Sequence, residues 1–237
     1  MKTLIDQTRE FIQHHKDICT SMIPAPGQGE NLVDWIMKES RLPWLELCGL
    51  NPPYAEMLAE AYKLRHRFVD HRGENGTGWL SLCIHGISAE HTNSAASYGL
   101  DDNTATFTWT DIEKDCPITV DFFRNHFHYV KFQRVRFMLL QPGGFIEPHA
   151  DNDNYHVGGA INMSLSNPAG CRLTSTGGTV PFRDSGSMFY FNTSYEHAAF
   201  NDSDQDRLHI IVHGQPDMSY WQSIILNSFK DQLNEQS

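Results

Sequence analysis

The sequence of 237 residues predicts a mainly β protein, a sandwich or jelly roll to which a few helices are added. Short β-prone segments follow one another between turns, and they do not alternate regularly with helices. Two of these segments place polar side chains on a face that a sandwich would turn inward, which is typical of a sheet that lines a ligand cavity. We expect a single domain over 1–237, with its β core at 79–214.

The composition is that of a globular protein with no affinity for nucleic acid or membranes. Hydrophobic residues make up 40% and aromatic residues 11% of the chain, enough for a sizeable core. The formal net charge of −11 disfavours both partners, since each requires clustered Lys and Arg. No apolar run is long enough for a membrane span and the N-terminus lacks a signal-peptide core, so we expect a cytoplasmic location. The five cysteines are scattered, and reduced thiols fit that compartment.

The first part of the chain, 1–70, is predicted to be helical and to pack on the sheet. Apolar residues recur at helical spacing over 2–20, which predicts an amphipathic helix, and a loop rich in Pro and Gly follows. A short helix is predicted at 31–38, and a longer one over 54–68 begins after a break marked by two prolines. At the other end, 226–237 is expected to be a helix that frays.

The first two predicted strands lie on either side of the centre of the chain. Residues 79–85 have the pattern of a strand that follows a turn-rich loop. The polar stretch 88–103 is either a loop that shapes substrate access or a solvated connection. Short helices or turns are predicted between this stretch and the strand that begins near Lys131. The apolar run 135–140 belongs to that strand.

Directly after that run, His149 and Asp151 stand two residues apart. If the extended conformation continues that far, both side chains point to the same side of the sheet, because side chains alternate along a strand. About one His-x-Asp is expected by chance in this composition, and another occurs at His15 and Asp17. That pair lies in the predicted N-terminal helix, where positions two apart do not share a face.

His197, further along the chain, is the candidate third member of this site. Two neutral imidazoles and one carboxylate leave three coordination positions of a metal open, the arrangement of non-haem Fe(II) oxygenases. Asp153 and His156 are alternative ligands, against the more ordinary interpretation that they belong to a loop. We therefore predict a metal site formed by His149, Asp151 and His197.

The second half of the chain carries further polar candidates on predicted strands. Arg207 and His209 share the polar face of an alternating segment. Arg207 either serves the cavity or forms a surface ion pair with Asp204 or Asp206, and His209 is either a ligand contact or a hydrogen-bonded core residue. The strands and the hairpin predicted in this half are 160–165, 171–182, 187–191 and 207–213.

Two arginines, Arg134 and Arg136, alternate with apolar residues just before the metal motif. They are candidates to bind an anionic group of a substrate. A solvated sheet face is the interpretation that the sequence favours for them.

These motifs resemble those of a known family. From about 134 to 214, the chain is similar to the aspartyl/asparaginyl β-hydroxylase family of Fe(II)- and 2-oxoglutarate-dependent dioxygenases. The resemblance rests on Gln-Pro-Gly-Gly followed by Pro148-His149, on Tyr195-Glu-His197 after a Gly-x-Met-x-Tyr-Phe strand, and on an arginine ten residues beyond His197. It covers roughly a third of the chain.

The resemblance implies a double-stranded β-helix with an iron site. His149, Asp151 and His197 would bind Fe(II), and Arg207 would bind the distal carboxylate of 2-oxoglutarate. Asn162 falls where the family often places a polar contact to this cosubstrate, and His209 shares a face with Arg207.

One departure from the family concerns the substrate. Animal members that act on secreted epidermal-growth-factor-like domains have glycine where this chain has Asp151, and a serine where it has Met138. The complete triad is more similar to that of small bacterial members, some of which hydroxylate free or carrier-bound amino acids. The sequence therefore leaves open whether the substrate is a small molecule or a peptide, and it leaves the oligomeric state open.

The resemblance also implies the reaction. O2 and 2-oxoglutarate would be converted to succinate and CO2 while a substrate C–H bond is hydroxylated, with the chemistry supplied by iron and the orientation by the protein. Two alternatives belong to other classes, namely a metal-dependent jelly-roll isomerase or epimerase and a non-catalytic binding module. Arg207 favours the oxygenase, because a guanidinium can engage a carboxylate through two parallel hydrogen bonds.

Overall fold

The computed structural model describes residues 31–73, 76–101, 103–151, 157–175, 178–184 and 186–234. Its main feature is one curled antiparallel sheet of eleven strands, which confirms the predicted mainly β, jelly-roll class. The strands are β1 (Trp44–Glu46), β2 (Val69–Asp70), β3 (Gly76–Gly86), β4 (Thr108–Trp109), β5 (Tyr129–His149), β6 (Ala160–Ser166), β7 (Cys171–Ser175), β8 (Gly178–Thr179), β9 (Ser187–Phe191), β10 (His197–Asn201) and β11 (Arg207–Pro216). The helix predicted at 2–20, the loop after it and the alternative ligands Asp153 and His156 lie outside the described residues.

Four helices accompany the sheet among the residues that the structure describes. They are α1 (Leu32–Asp34), which continues as a π-helical turn (Trp35–Glu39), α2 (Tyr54–Lys63), α3 (Pro117–Asn125) and α4 (Met218–Asn234). The helix predicted over 54–68 ends earlier and continues as a 3₁₀ turn (Arg65–Arg67), and the C-terminal helix begins well before the predicted 226. No helix in the described ranges is long and apolar enough to cross a membrane.

The strand order brings distant parts of the chain together. Along the main path it is β1-β9-β6-β11-β5-β10-β7-β8, with β3 paired to β5 and both β2 and β4 paired to β3. β5 is therefore the central strand, since it forms ladders with β3, β10 and β11. Its length of 21 residues allows one strand to serve several partners.

A bend in β5 divides it between two neighbours. Residues up to Leu140 pair with β11, and the end of the strand from Phe145 to His149 pairs with β10. The bend contains Gly143, whose φ of 70° is readily adopted by glycine, and Gly144, where a Cβ atom would lie 2.8 Å from the Gln141 carbonyl oxygen. These two glycines let the extended chain change partners without ending, so that it reaches His149.

The hydrophobic core lies on one face of the central strands. Side chains from β5 and β11 pack there against the helices, with Trp221 of α4 donating its indole N–H to the Phe127 carbonyl oxygen at 2.8 Å. The core residues from these two strands are Val135, Phe137, Leu139, Leu208, Ile210 and Val212. The opposite face of the same strands is left for a cavity.

Candidate metal centre

His149, Asp151 and His197 come together at the end of the β5–β10 ladder. His149 ends β5, His197 begins β10, and the two residues are direct partners in the antiparallel register. The candidate ligand atoms of the three side chains all lie within 4.8 Å of one another. The imidazole centroids are 4.4 Å apart, and Nε2 of His149 is 3.7 Å from Oδ1 of Asp151. Within the described ranges, no other cluster of His, Cys, Asp or Glu shows this convergence.

Backbone carbonyl groups fix the orientation of both imidazoles. Nδ1 of His149 lies 2.7 Å from the Glu147 oxygen, and Nδ1 of His197 lies 2.9 Å from the Tyr195 oxygen. A carbonyl oxygen can only accept a hydrogen bond, so each Nδ1 carries the proton and each Nε2 presents a lone pair. Burial lowers the pKa of His197, which keeps its ring neutral at neutral pH.

Asp151 is held by its backbone and by one cation. Its amide N–H donates to the Thr193 carbonyl oxygen at 2.9 Å, and Arg72 Nη1 lies 3.4 Å from Oδ1 of its carboxylate. The three side chains thus offer two neutral nitrogens and one carboxylate oxygen, with no thiolate. This donor set fits a divalent iron ion with open coordination positions.

The triad lies in the lining of a cavity of about 680 Å³. The six residues singled out from the sequence all contribute to this lining, from strands β5, β6, β10 and β11 and from the turn after β5. They are His149, Asp151, Asn162, His197, Arg207 and His209.

Arg207 is buried in the cavity wall, with 7% of its surface exposed. Its Nε–H donates to Asn167 Oδ1 at 2.8 Å, and its guanidinium carbon lies 5.5 Å from the centre of the Phe182 ring. No described carboxylate lies within ion-pair distance of it, and Asp206 pairs instead with Arg65. The surface ion pair considered for Arg207 is therefore wrong. Burial lowers the pKa of Arg207 to about 10, so it is cationic at neutral pH.

Beside Arg207, His209 and Asn162 contact each other. Nδ1 of His209 lies 2.7 Å from Asn162 Oδ1 and 3.3 Å from Arg207 Nη2. His209 is 1% exposed, and its Nε2 has no partner among the described residues. Burial, and then the charge of Arg207, lower the pKa of His209 well below its usual range, so the ring is neutral. His209 is thus a hydrogen-bonded buried residue that also lines the cavity, and its contact with a ligand stays a prediction.

The expectation of a solvated face is wrong for Arg136, which is buried, whereas Arg134 is half-buried. Both side chains line the cavity, and Arg136 is 7% exposed. Arg136 Nη1 donates to the Thr92 carbonyl oxygen at 2.6 Å, and Arg134 Nη1 donates to the Asn93 carbonyl oxygen at 2.9 Å. This face of β5 is covered by a segment far away in the sequence, which the local alternation of polar and apolar residues cannot reveal.

Several polar residues of the cavity lining were not assigned to the site from the sequence, and His71, Arg72 and His213 are three of them. His71 and Arg72 come from the turn-rich loop before β3, where no periodic pattern marks them. The alternating pattern does place His213 on the same face as Arg207 and His209, although no role was assigned to it.

The curled sheet, with two histidines and one aspartate converging in its cavity, is a fold of the 2-oxoglutarate/Fe(II) oxygenase type. Residues 64–216 match the model of the family described as Aspartyl/Asparaginyl beta-hydroxylase. The chain belongs to that family, which confirms the resemblance seen in its motifs. A comparison with curated protein sequences gave no match.

Several solved structures are similar to this chain in fold. A prolyl hydroxylase from Trichoplax adhaerens, in complex with a hypoxia inducible factor peptide fragment, is 12% identical, with a TM-score of 0.49 over 92% of this chain and 99% of that chain. HygX from Streptomyces hygroscopicus, with nickel and 2-oxoglutarate bound, is 11% identical, with a TM-score of 0.44 over 81% and 88%. The non-heme alpha ketoglutarate dependent epimerase SnoN from nogalamycin biosynthesis is 16% identical, with a TM-score of 0.42 over 73% and 77%.

Proposed function

We propose that this protein is an Fe(II)- and 2-oxoglutarate-dependent dioxygenase that hydroxylates an amino-acid-type substrate. The observation that carries the proposal is that His149, Asp151, His197 and Arg207 line one cavity. A metal triad alone is compatible with several reaction classes. A buried arginine without a described counter-ion in the same cavity supports a carboxylate ligand, as 2-oxoglutarate provides.

The metal would be held by Nε2 of His149 and His197 and by a carboxylate oxygen of Asp151. Bound Fe(II) supplies the oxidising chemistry by which O2 and 2-oxoglutarate give succinate, CO2 and a hydroxylated product. The chain's own contribution is orientation, because the carbonyl groups of Glu147 and Tyr195 hold both Nδ1–H groups and leave both Nε2 lone pairs for the ion.

The distal carboxylate of 2-oxoglutarate would bind to Arg207. The hydrogen bond to Asn167 and the contact with Phe182 hold its guanidinium in one orientation, and its Nη1 group has no hydrogen-bond partner among the described residues and remains for a ligand. Neutral His209 and Asn162 hold each other beside it and add no charge to the site. This pre-organisation reduces the conformational entropy lost when the cosubstrate binds.

The test is anaerobic visible absorption of the protein with Fe(II), before and after addition of 2-oxoglutarate. We expect a metal-to-ligand charge-transfer band that His197→Ala abolishes. Arg207→Ala should weaken 2-oxoglutarate binding by about 100-fold, because two charge-assisted hydrogen bonds are lost. Arg172→Ala is the matched control, since Arg172 pairs with Asp202 and does not line the cavity, and it should leave the band unchanged.

Absence of the band from iron-loaded wild-type protein would contradict the proposal. A metal-dependent isomerase or epimerase that does not use 2-oxoglutarate predicts that result, and a binding module predicts that the triad variants keep its activity. Once the band is established, succinate formation in the presence of free amino acids and of acidic peptides separates the substrate classes.

A further inference from the structure

We propose that the cavity contains a second anion site, and that the substrate carries a carboxylate or phosphate group that binds there. The site is formed by Arg134 and Arg136 on β5, with Arg72 and His213 in the same lining. This inference rests on the proposed function, because it assigns a substrate class to the same cavity. The anionic group of the substrate that binds at this site is distinct from the carboxylate of 2-oxoglutarate that Arg207 would bind.

The distribution of counter-ions supports the site. Six described arginines have a carboxylate within ion-pair distance, namely Arg65, Arg67, Arg72, Arg124, Arg172 and Arg183. Among the described residues, Arg134, Arg136 and Arg207 have no such partner, and all three line the cavity. Burying a guanidinium without a counter-ion is unfavourable, and a bound anion offsets that penalty. Once the cosubstrate occupies Arg207, Arg134 and Arg136 still have no counter-ion.

The two arginines are built into the site with fixed orientations. Positions 134 and 136 lie on the same side of β5, and each donates one Nη1 hydrogen bond to consecutive carbonyl groups, of Asn93 and Thr92 respectively. The Nε atoms of both are buried and have no partner in the described part of the chain. Each guanidinium therefore keeps donors for a ligand, and two guanidinium groups side by side suit the several oxygens of a carboxylate or phosphate.

The second site and Arg207 lie at different positions along the β5–β11 ladder. On β11, Arg207 is opposite Leu140, whereas Ile211 is opposite Arg136 and His213 is opposite Arg134. Arg207 and Ile211 are four residues apart along an extended strand, so their Cα atoms are about 13 Å apart. Arg134 and Arg136 are therefore placed to bind a group other than the one that Arg207 binds.

The cavity also differs in charge from the protein as a whole. The chain has a formal net charge of −11, yet the described cavity lining contains four arginines and a single carboxylate, Asp151. A cleft lined by one sign of charge concentrates ligands of the opposite sign. The cavity thus selects small anions and disfavours cationic groups such as a lysine side chain.

Calorimetric titration with malonate and with inorganic phosphate tests the site directly. We expect at least one of the two anions to bind the wild-type protein, and its affinity to fall about tenfold or more in Arg136→Gln and Arg134→Gln. Arg136→Lys should give an intermediate loss, because it keeps the charge but not the two-pronged geometry. Binding should persist in Arg207→Gln and be unchanged in Arg172→Gln. Stronger binding of malonate indicates a carboxylate in the substrate, and stronger binding of phosphate indicates a phosphorylated one.

Two results would overturn the inference. One is that neither anion binds the wild-type protein. The other is that binding is lost in Arg207→Gln and retained in Arg136→Gln, which would assign the anion to the cosubstrate position. Thermal unfolding of each variant identifies any loss of binding that is due to misfolding.

The absorption band separates this inference from the proposed function. In Arg136→Gln, we expect the Fe(II)/2-oxoglutarate band to remain, with unchanged affinity for 2-oxoglutarate. A missing band in the wild type, together with anion binding that depends on Arg136, would refute the oxygenase and leave the anion site standing. If the wild-type band is normal but anion binding is unchanged in the Arg134 and Arg136 variants, the proposed substrate class is refuted and the oxygenase proposal is not.

Discussion

The two faces of strands β5 and β11 have opposite physical characters. One face carries aliphatic and aromatic side chains that are almost completely buried in the core, such as Phe137 and Ile210. The other face carries cations and imidazoles that line the cavity, namely Arg134, Arg136, Arg207, His209 and His213. Because successive side chains alternate, every second residue of the same two strands serves a different purpose.

The difference separates stability from ligand binding at the level of single residues. Burial on the core face is favourable in the absence of any ligand. On the cavity face, Arg136 and Arg207 are desolvated without a described counter-ion, which is unfavourable until an anion binds. The core face therefore has to supply the stability that the cavity face lacks, and substitutions on the two faces should have opposite effects.

The largest effect is expected on the core face. Phe137 is fully buried and lies 6.3 Å from the ring of Phe68, so Phe137→Ala should lower the free energy of unfolding by about 3–5 kcal/mol. The affinity of the folded protein for 2-oxoglutarate should not change. Urea unfolding and ligand titration measure the two quantities. Val130→Ala is the matched control on the same strand, because Val130 is 67% exposed and its loss should cost less than about 0.5 kcal/mol.

A tenfold change in the 2-oxoglutarate affinity of Phe137→Ala would contradict the separation of the two faces. It would mean that the core residue also controls the positions of the cavity side chains.

The alternation of polar and apolar residues along these strands is visible in the sequence, and for this reason much of the site could be predicted. The strands expected at 160–165, 187–191 and 207–213 are present as Ala160–Ser166, Ser187–Phe191 and Arg207–Pro216. Arg207 and His209 were expected to share a polar face because a strand places every second residue on one side.

The pairing between distant segments could not be read in the same way. β10 was not predicted, since His197–Asn201 is short and includes two alanines that give little strand signal. β5 extends well beyond the predicted 135–140, because Pro142 and the two glycines after it have the composition of a turn but form a bend within one strand. The cover over Arg134 and Arg136 comes from carbonyl groups about forty residues away in the chain, and no local pattern encodes such a contact.

We expect the buried histidines of the cavity lining to make the stability of the protein depend on pH. His71 is 2% exposed, and burial, followed by the charges of Arg136, Arg72 and Arg134, lowers its pKa to about 2. Its ordinary value in the unfolded chain is about 6.5. Between these two values the unfolded state binds more protons than the folded state, so the free energy of unfolding decreases as the pH falls below about 6.5. The pKa values of His209 and His213 are lowered in the same direction.

Urea unfolding between pH 6.5 and 4.5 measures this effect. Each such histidine contributes a slope that approaches about 1.4 kcal/mol per pH unit, so His71→Gln should reduce the total slope by about that amount. His126→Gln serves as the control, because His126 is exposed. An unchanged slope in His71→Gln would show that the loss of stability in acid originates elsewhere.

The smallest expected effect is also the one that distinguishes the two faces most directly. Arg136→Met replaces a buried, unpaired cation by an apolar side chain of similar length, and it removes the repulsion from Arg134 and Arg72. Replacing buried charges in this way is often neutral or stabilising, so the free energy of unfolding of the ligand-free protein should rise by about 1 kcal/mol. Malonate or phosphate should no longer protect the variant against urea, although they protect the wild type. If Arg136→Met instead destabilised the ligand-free protein as a core substitution does, Arg136 would be part of the scaffold, and the contrast between the two faces would fail at this position.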